Sequence, residues 1–263
     1  MTDLRHLQLV ILSILKDIDN FCNANNIQYY LAYGSALGAI RHNGFIPWDD
    51  DIDIVMDNKN YQMFISIAKK EFQVDKYFIE EGLKDWPMPF SKVRLRGTTY
   101  CELESYDMRG ENGIYVDVFK MDNVSSNKYL AKWQYICAKY YLCYTLSQRS
   151  FKSAPFYKKL LMWSAFPLKI KVLREFILGQ VEKYNDKETE YYGCFYTRYG
   201  FHGSVIPCRF YGKPAFVDFE NLKMPAPENW NAYLTYIYGH YMTLPPEKKQ
   251  IGLHLTNIDF GEY

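Results

Sequence analysis

Apolar residues recur at spacings of three and four from Leu4 through Leu7, Ile11, Ile14 and Ile18 to Phe21, which predicts an amphipathic helix over residues 3–24 capped by Thr2. The polar run NANN ends it. Next, IQYYLAY (27–33) has the β-branched and aromatic content of a strand and is stopped by Gly34-Ser35. SALGAIRH carries the small residues of a short helix whose backbone lies close to another segment, and NGFIPW reads as a loop. DIDIVM alternates carboxylate with isoleucine before turning wholly apolar, the pattern of a strand whose first residues emerge from a core. Residues 58–72 return to helical spacing. Three strands are then expected, Ser91–Gly97, Thr98–Glu104 and Gly113–Met121, with MRGENG as a hairpin-like connection between the last two. This order predicts a small mixed sheet with helices on one face. After Asp122 the spacing is helical over 126–186, with breaks at Ser153-Ala154-Pro155 and Pro167, and from about 190 the chain is aromatic and loop-rich.

Composition narrows the choices. With 263 residues, 48% of them hydrophobic, the chain can bury a large core without disulfides. Lys plus Arg (31) nearly balances Asp plus Glu (30), so the global positive field of a nucleic-acid binder is missing and no nucleic-acid partner is expected. Six scattered cysteines without CxxC or zinc spacing predict reduced thiols in a cytoplasmic protein. The N-terminus carries charges and lacks a small-residue cleavage site, so no signal peptide is expected, and no apolar run reaches the ~18 residues of a membrane span. The 25 tyrosines first suggest extra core, with a stacking or cation-binding pocket as the alternative. FYKKLLMWSAFPLKIKVLREF (156–176) alternates lysines with Trp163, Phe166 and leucines. It reads either as a core helix with a basic outer face or as a peripheral contact with an anionic membrane.

The chemistry is concentrated in GFIPWDDDIDIVM. Asp51 and Asp53 stand two apart at a strand start, so they share one side of the sheet about 7 Å apart. Carboxylates that close raise each other's pKa unless a cation lies between them, and hard oxygen ligands at this spacing suit Mg²⁺. Asp117 lies midway along an apolar strand, where an ionised group is costly without a partner. If its strand neighbours that of Asp53, the three converge. Asp49 is a weaker participant, and Asp50 reads as a bystander facing water. An EF-hand is excluded because the glycine position holds Ile54 and the terminal glutamate position holds Asn60. The DxD motif of nucleotide-sugar glycosyltransferases should follow an apolar strand, whereas this pair precedes one. Upstream, Gly34-Ser35 feeds a helix N-terminus that offers N–H groups and a favourable dipole to phosphate. Gly-Ser, then Asp-x-Asp, then a third aspartate resembles nucleotidyltransferase-type folds, with Ala36–Asp50 a longer spacer than theirs. The expected fold class is α+β, a nucleotidyltransferase-like mixed sheet with flanking helices plus a helical second half. Its expected units are a catalytic core (1–124), a helical region (125–188) and a C-terminal segment packing back on the core (189–263).

The segment YGSALGAIRHNGFIPWDDDIDIVM, with KVRLRGTTYCE, GIYVDVFKMD and YGHYMTLPPEKKQIGLH, resembles the LicD family, the phosphotransferases that decorate bacterial surface polysaccharides and are related to fukutin-type enzymes. The resemblance implies transfer of a phospho-alcohol, such as phosphocholine or a polyol phosphate, from a CDP-alcohol donor to a sugar hydroxyl of a cell-surface polysaccharide or glycolipid, releasing CMP. Asp49, Asp51 and Asp53 fall on its acidic motif, Asp117 on its third acidic position and Arg94 on a basic position facing phosphate. The implied roles are Mg²⁺, or Mn²⁺, held by Asp49, Asp51, Asp53 and Asp117, with Asp117 alternatively taking the acceptor proton. Gly34, Ser35 and Arg41 are expected to cradle phosphate, His42 either to contact substrate or to stay solvated, and Lys92 and Arg94 to neutralise the leaving CMP, with a strand-surface charge as the alternative for Arg94. Two positions depart from the family: His240 stands where an acidic residue is usual, and a terminal histidine pair is reduced to His254. A cytidylyltransferase releasing pyrophosphate and a non-catalytic polysaccharide-assembly scaffold are the alternatives. A lipid-linked acceptor would place the enzyme in the cytoplasm at the inner face of the plasma membrane.

Overall fold

The computed structural model describes residues 3–101, 112–148, 156–252 and 257–263. Its helices are α1 (Asp3–Ala24), α2 (Tyr33–His42), α3 (Asn58–Glu71), α4 (Lys128–Ser147), α5 (Phe156–Ser164), α6 (Lys171–Glu182), α7 (Phe201–Ser204) and α8 (Trp230–Tyr238). The strands are β1 (Tyr30–Leu31), β2 (Asp53–Asp57), β3 (Tyr77–Glu80), β4 (Ser91–Leu95), β5 (Thr99–Cys101), β6 (Tyr115–Val124), β7 (Tyr191–Gly193), β8 (Val205–Pro207), β9 (Ala215–Phe219), β10 (Leu222–Ala226) and β11 (Asn257–Asp259). The fold is α+β, as the periodicities predict.

The main sheet runs β1-β2-β6-β4-β3, and β7 extends the far end of β6 and pairs with β8. Among the described strands only β2 and β6 pair in parallel; their register sets Asp53 against Asp117, while antiparallel β4 sets Lys92 against the same Asp117. Three charged side chains therefore share one level and one face of three adjacent strands. The alternate residues Ile54, Val93, Val116 and Val118 are wholly buried in the apolar core with Leu7, Ile11, Ile14 and Ile18 of α1. Each such side chain contributes roughly 1.5–3 kcal/mol through burial, so a one-residue slip that exposed this row would be heavily disfavoured.

Several expectations are revised. The predicted strand 27–33 is reduced to β1, because Tyr33 already opens α2 at φ 45°. The hairpin between the second and third predicted strands falls largely on residues outside the described ones; β5 itself pairs with β11 from the chain's end. Thr2 and the Ser153-Ala154-Pro155 break also lie outside the described residues. The Pro167 break is a short 3-10 turn, Phe166–Lys169, between α5 and α6. The core-helix reading of 156–176 does not hold: α5 leaves Phe156, Leu160, Leu161 and Trp163 exposed.

The small residues of α2 have a visible purpose. A Cβ on Gly38 would lie 2.4 Å from the Gly44 carbonyl oxygen, so only glycine lets the loop that follows α2 fold back against it. On the other side of β6, Lys120 bridges Asp122 (2.9 Å) and Glu182 (2.5 Å), and Asn185 Nδ2 donates to Asp122 at 2.8 Å, which ties the end of α6 to the sheet.

Candidate active site

The loop between α2 and β2 delivers the acidic run, and α1 fixes it. Gln8, a polar residue buried on the apolar face of α1, donates from Nε2 to the Asp49 carbonyl at 2.9 Å. Arg5 pairs with Glu220 at 2.6 Å, and Glu220 also accepts the Phe45 N–H, so the turn between β9 and β10 clamps the same loop. At the loop's end the Asp53 N–H donates to Ser35 Oγ at 2.8 Å. Ser35 is thereby buried as the anchor that joins α2 to β2, and it does not line the cavity described next.

A cavity of about 630 Å³ opens above this level of the sheet. Asp49, Asp50, Asp51, Asp53 and Asp117 line it, with Lys92 beside them. Oxygens of Asp49, Asp50 and Asp51 lie within 4.8 Å of one another. Burial, followed by the charges of Asp51, Asp117 and Asp49, raises the Asp53 carboxyl well above the ordinary carboxylate range, against the opposing pull of Lys92. Lys92 is 1% exposed; its Nζ lies 2.9 Å from Asp117 Oδ1 and 3.2 Å from the Tyr115 ring centroid. A set of hard oxygen donors gathered at mutual electrostatic cost suits a divalent cation of the Mg²⁺ or Mn²⁺ kind. Gly34 serves the same cluster, since a Cβ there would come 3.0 Å from Asp49 Oδ2.

Asp50 is not the water-facing bystander expected from sequence. It is buried and accepts a hydrogen bond from Tyr100 Oη at 3.1 Å, because the chain's closing segment packs Gly252 over it. Arg94 is also placed differently. It shares the face of Lys92, but its Nε pairs with buried Glu80 at 2.7 Å and its Nη1 donates to the Gly113 carbonyl, so it does not line the cavity. Arg41 does line it, with Nη1 donating to the Tyr241 carbonyl at 2.8 Å; partial burial lowers its pKa. His42 points instead toward the edge of Trp48, at 6.3 Å between ring centroids, and lies outside the lining.

The opposite wall comes from residues far along the chain. Tyr196, Thr197, Arg198 and Tyr199 follow β7, Tyr238 ends α8, His240 and Tyr241 follow it, and Lys249 and Ile251 come later still. Tyr199 stacks on Tyr33 at 4.9 Å and shares a 2.6 Å hydroxyl contact with Tyr238. Tyr33, held at positive φ, donates its N–H to Tyr233 Oη at 3.0 Å. Arg198 keeps its charge: desolvation opposes it, but Tyr199, Tyr238 and Asp51 raise its pKa. For this wall the sequence offered the tyrosine count and the segment YGHYMTLPPEKKQIGLH, which holds Tyr238, His240, Tyr241, Lys249 and Ile251; Arg198 and its neighbours after β7 carried no motif. His254 lies outside the described residues.

An α+β sheet that presents convergent carboxylates and cations to an aromatic-walled cavity defines a class equipped for phosphate chemistry, and the comparisons give the family. The family described as LicD/FKTN/FKRP, nucleotidyltransferase domain, matches residues 26–157. Lipopolysaccharide cholinephosphotransferase LicD of Haemophilus influenzae is 29% identical over 259 residues, covering 96% of each chain. An uncharacterized protein of Rickettsia prowazekii is 46% identical over 46 residues, 18% of this chain and 17% of that one. Mannosyltransferase regulator 4 of Saccharomyces cerevisiae is 20% identical over 133 residues, 48% of this chain and 11% of that one. This chain belongs to the LicD family and is a LicD-type phosphotransferase.

Proposed function

We propose that this enzyme transfers phosphocholine, or a closely related phospho-alcohol, from a CDP-linked donor to a sugar hydroxyl of a surface polysaccharide or its lipid-linked precursor, releasing CMP. The observation that carries the reading is the meeting of Asp53, Asp117 and Lys92 at one level of the sheet, beneath an aromatic wall. The head group follows the relative that is 29% identical over nearly its whole length, which is named for choline phosphate transfer to lipopolysaccharide.

Asp49, Asp51 and Asp53 would hold Mg²⁺ or Mn²⁺, which when bound supplies Lewis-acid stabilisation of charge on the donor's pyrophosphate. Arg41, Lys92 and Arg198 add cationic groups for the phosphates. The acceptor oxygen bonds to the phosphocholine phosphorus as the bond to the CMP oxygen breaks. Asp117 takes the acceptor's proton, and CMP leaves as the anion. Tyr199, Tyr238 and Trp48 line the cavity and supply aromatic rings for a quaternary ammonium, for which cation–π attraction suits better than an ion pair. Donor synthesis by cytidylyl transfer would use the same carboxylates, and the family's description as a nucleotidyltransferase domain favours it as the second reading.

The test is product analysis with a panel of CDP-alcohols and a saccharide acceptor in Mg²⁺, for the wild type, Asp51→Ala and Asp117→Asn. CMP release with CDP-choline, lost in both variants, is expected. Pyrophosphate release from CTP and phosphocholine would favour the second reading, and turnover undiminished in either variant would refute the site.

A further inference from the structure

More than half of the large apolar side chains that the described residues expose lie on α4, α5, the 3-10 turn and α6. On α5, Phe156, Leu160 and Trp163 fall at spacings of four and three, so they form one stripe, and Phe156 and Trp163 are 82% and 77% exposed. Phe166 and Ile170 continue the exposed apolar run through the 3-10 turn, and Val172 carries it into α6. A helix that folds against its neighbours normally turns such a stripe inward. Here α5 packs mainly on α4 and on the 3-10 turn and leaves its largest side chains outward.

The charges of this surface identify what covers it. From 156 to 174 the sequence holds four lysines and one arginine and no acidic residue. Lys158 and Lys169 stand among the exposed apolar residues, and the Lys169 ammonium lies 4.4 Å from the Phe166 ring centroid. The chain as a whole is nearly neutral, with a net charge of +1, so the rest of it is acidic on balance and this single-sign stretch is a local feature. Two copies meeting through it about a two-fold axis would bring like charges together. Aromatic and aliphatic side chains interleaved with lysines match instead the boundary between acyl chains and anionic headgroups. No described helix is long and apolar enough to cross a membrane, so such contact is peripheral.

We infer that α5, the 3-10 turn and the start of α6 form a docking surface for an anionic lipid membrane. Trp163, Phe166 and Phe156 enter the headgroup region, and Lys158 and Lys169 meet lipid phosphates, whereas Lys171 is paired with Glu175 at 3.6 Å. The proposal stands on this surface alone and is read without turnover, so its failure leaves the transfer reading untouched.

The test is flotation of the full chain with phosphatidylcholine vesicles, with and without phosphatidylglycerol, in low and high salt. Binding to the anionic vesicles, weakened by salt, is expected. Each basic charge at the surface is expected to account for about five-fold in partitioning, so Lys158→Glu with Lys169→Glu should abolish it. Trp163→Ser with Phe166→Ser should weaken binding at every salt concentration, and circular dichroism checks that both pairs fold. Absence of flotation, equal flotation with neutral vesicles, or a concentration-dependent dimer that the Trp163→Ser pair dissolves would each overturn the proposal.

Discussion

Replacing Lys92 with methionine keeps the length and apolar packing of the stem while deleting its charge. The ammonium is enclosed: besides Asp117 at 2.9 Å and the Tyr115 ring at 3.2 Å, the Trp86 and Phe90 ring centroids lie 5.2 and 5.6 Å away. Its removal leaves Asp117, only 8% exposed, without that compensating charge among other carboxylates. Breaking a buried pair from one side costs about 3–5 kcal/mol. At about 2–4 °C per kcal/mol for a chain of this size, the midpoint should fall by roughly 6–20 °C. Deleting both charges, Lys92→Met with Asp117→Asn, removes the conflict and should recover at least about 2 kcal/mol as a coupling energy. Urea unfolding followed by circular dichroism, with chelator present, measures all four corners of the cycle, while CMP release reports that each altered enzyme has lost turnover. A Lys92→Met protein within about 1 kcal/mol of wild type, or a double variant no more stable than the single one, would refute the reasoning.

Two further outcomes follow from the same geometry. Arg94→Met should lower stability by about 3–5 kcal/mol through the stranded Glu80, yet leave the KM for the donor unchanged in the folded fraction. Glu80→Gln added to it should restore much of the loss, and a raised KM would return Arg94 to the phosphate site. For Asp53 the sign runs against the usual carboxylate. Burial and its acidic neighbours raise it, so the unfolded chain gives up this proton at lower pH than the folded one. The group costs nothing below the ordinary carboxylate range and costs more as pH rises through its raised value. With chelator present, Asp53→Asn should therefore raise the melting temperature at neutral pH and flatten the decline above about pH 4, while abolishing turnover. A wild-type melting temperature that declines no more steeply than the variant's across that interval would contradict it.

How legible this was depended on the distance over which each feature is encoded. The α1 stripe, α3 and the apolar strands are local periodicities, and each is found within a few residues of its predicted place. The meeting of Asp53 with Asp117 was conditional on strand adjacency, which no local pattern contains; the parallel β2 and β6 register supplies it. Asp50 was misread because alternation alone counts faces, and it cannot know that Tyr100 and the segment around Gly252 return to cover the loop. Arg94 was misread for the complementary reason: its face was right, but Glu80 on the neighbouring strand holds it. Gln8 could have been noticed as a polar residue inside an apolar stripe, although its partner, a loop carbonyl 41 residues on, is a tertiary fact.

The two sides of the cavity have different histories along the chain. The acidic floor lies wholly within residues 26–157, the stretch the family description covers, whereas the aromatic and basic wall from Tyr196 to Ile251 lies outside it. The acidic floor and the aromatic wall thus come from separate stretches of sequence that share one apolar core and meet at the cavity through contacts such as Tyr33 on Tyr199 and Arg41 on the Tyr241 carbonyl. A floor of this kind can stay fixed while its wall is rewritten. Grafting residues 190–252 from a relative with another head-group preference is then expected to change the substrate accepted without changing the chemistry performed.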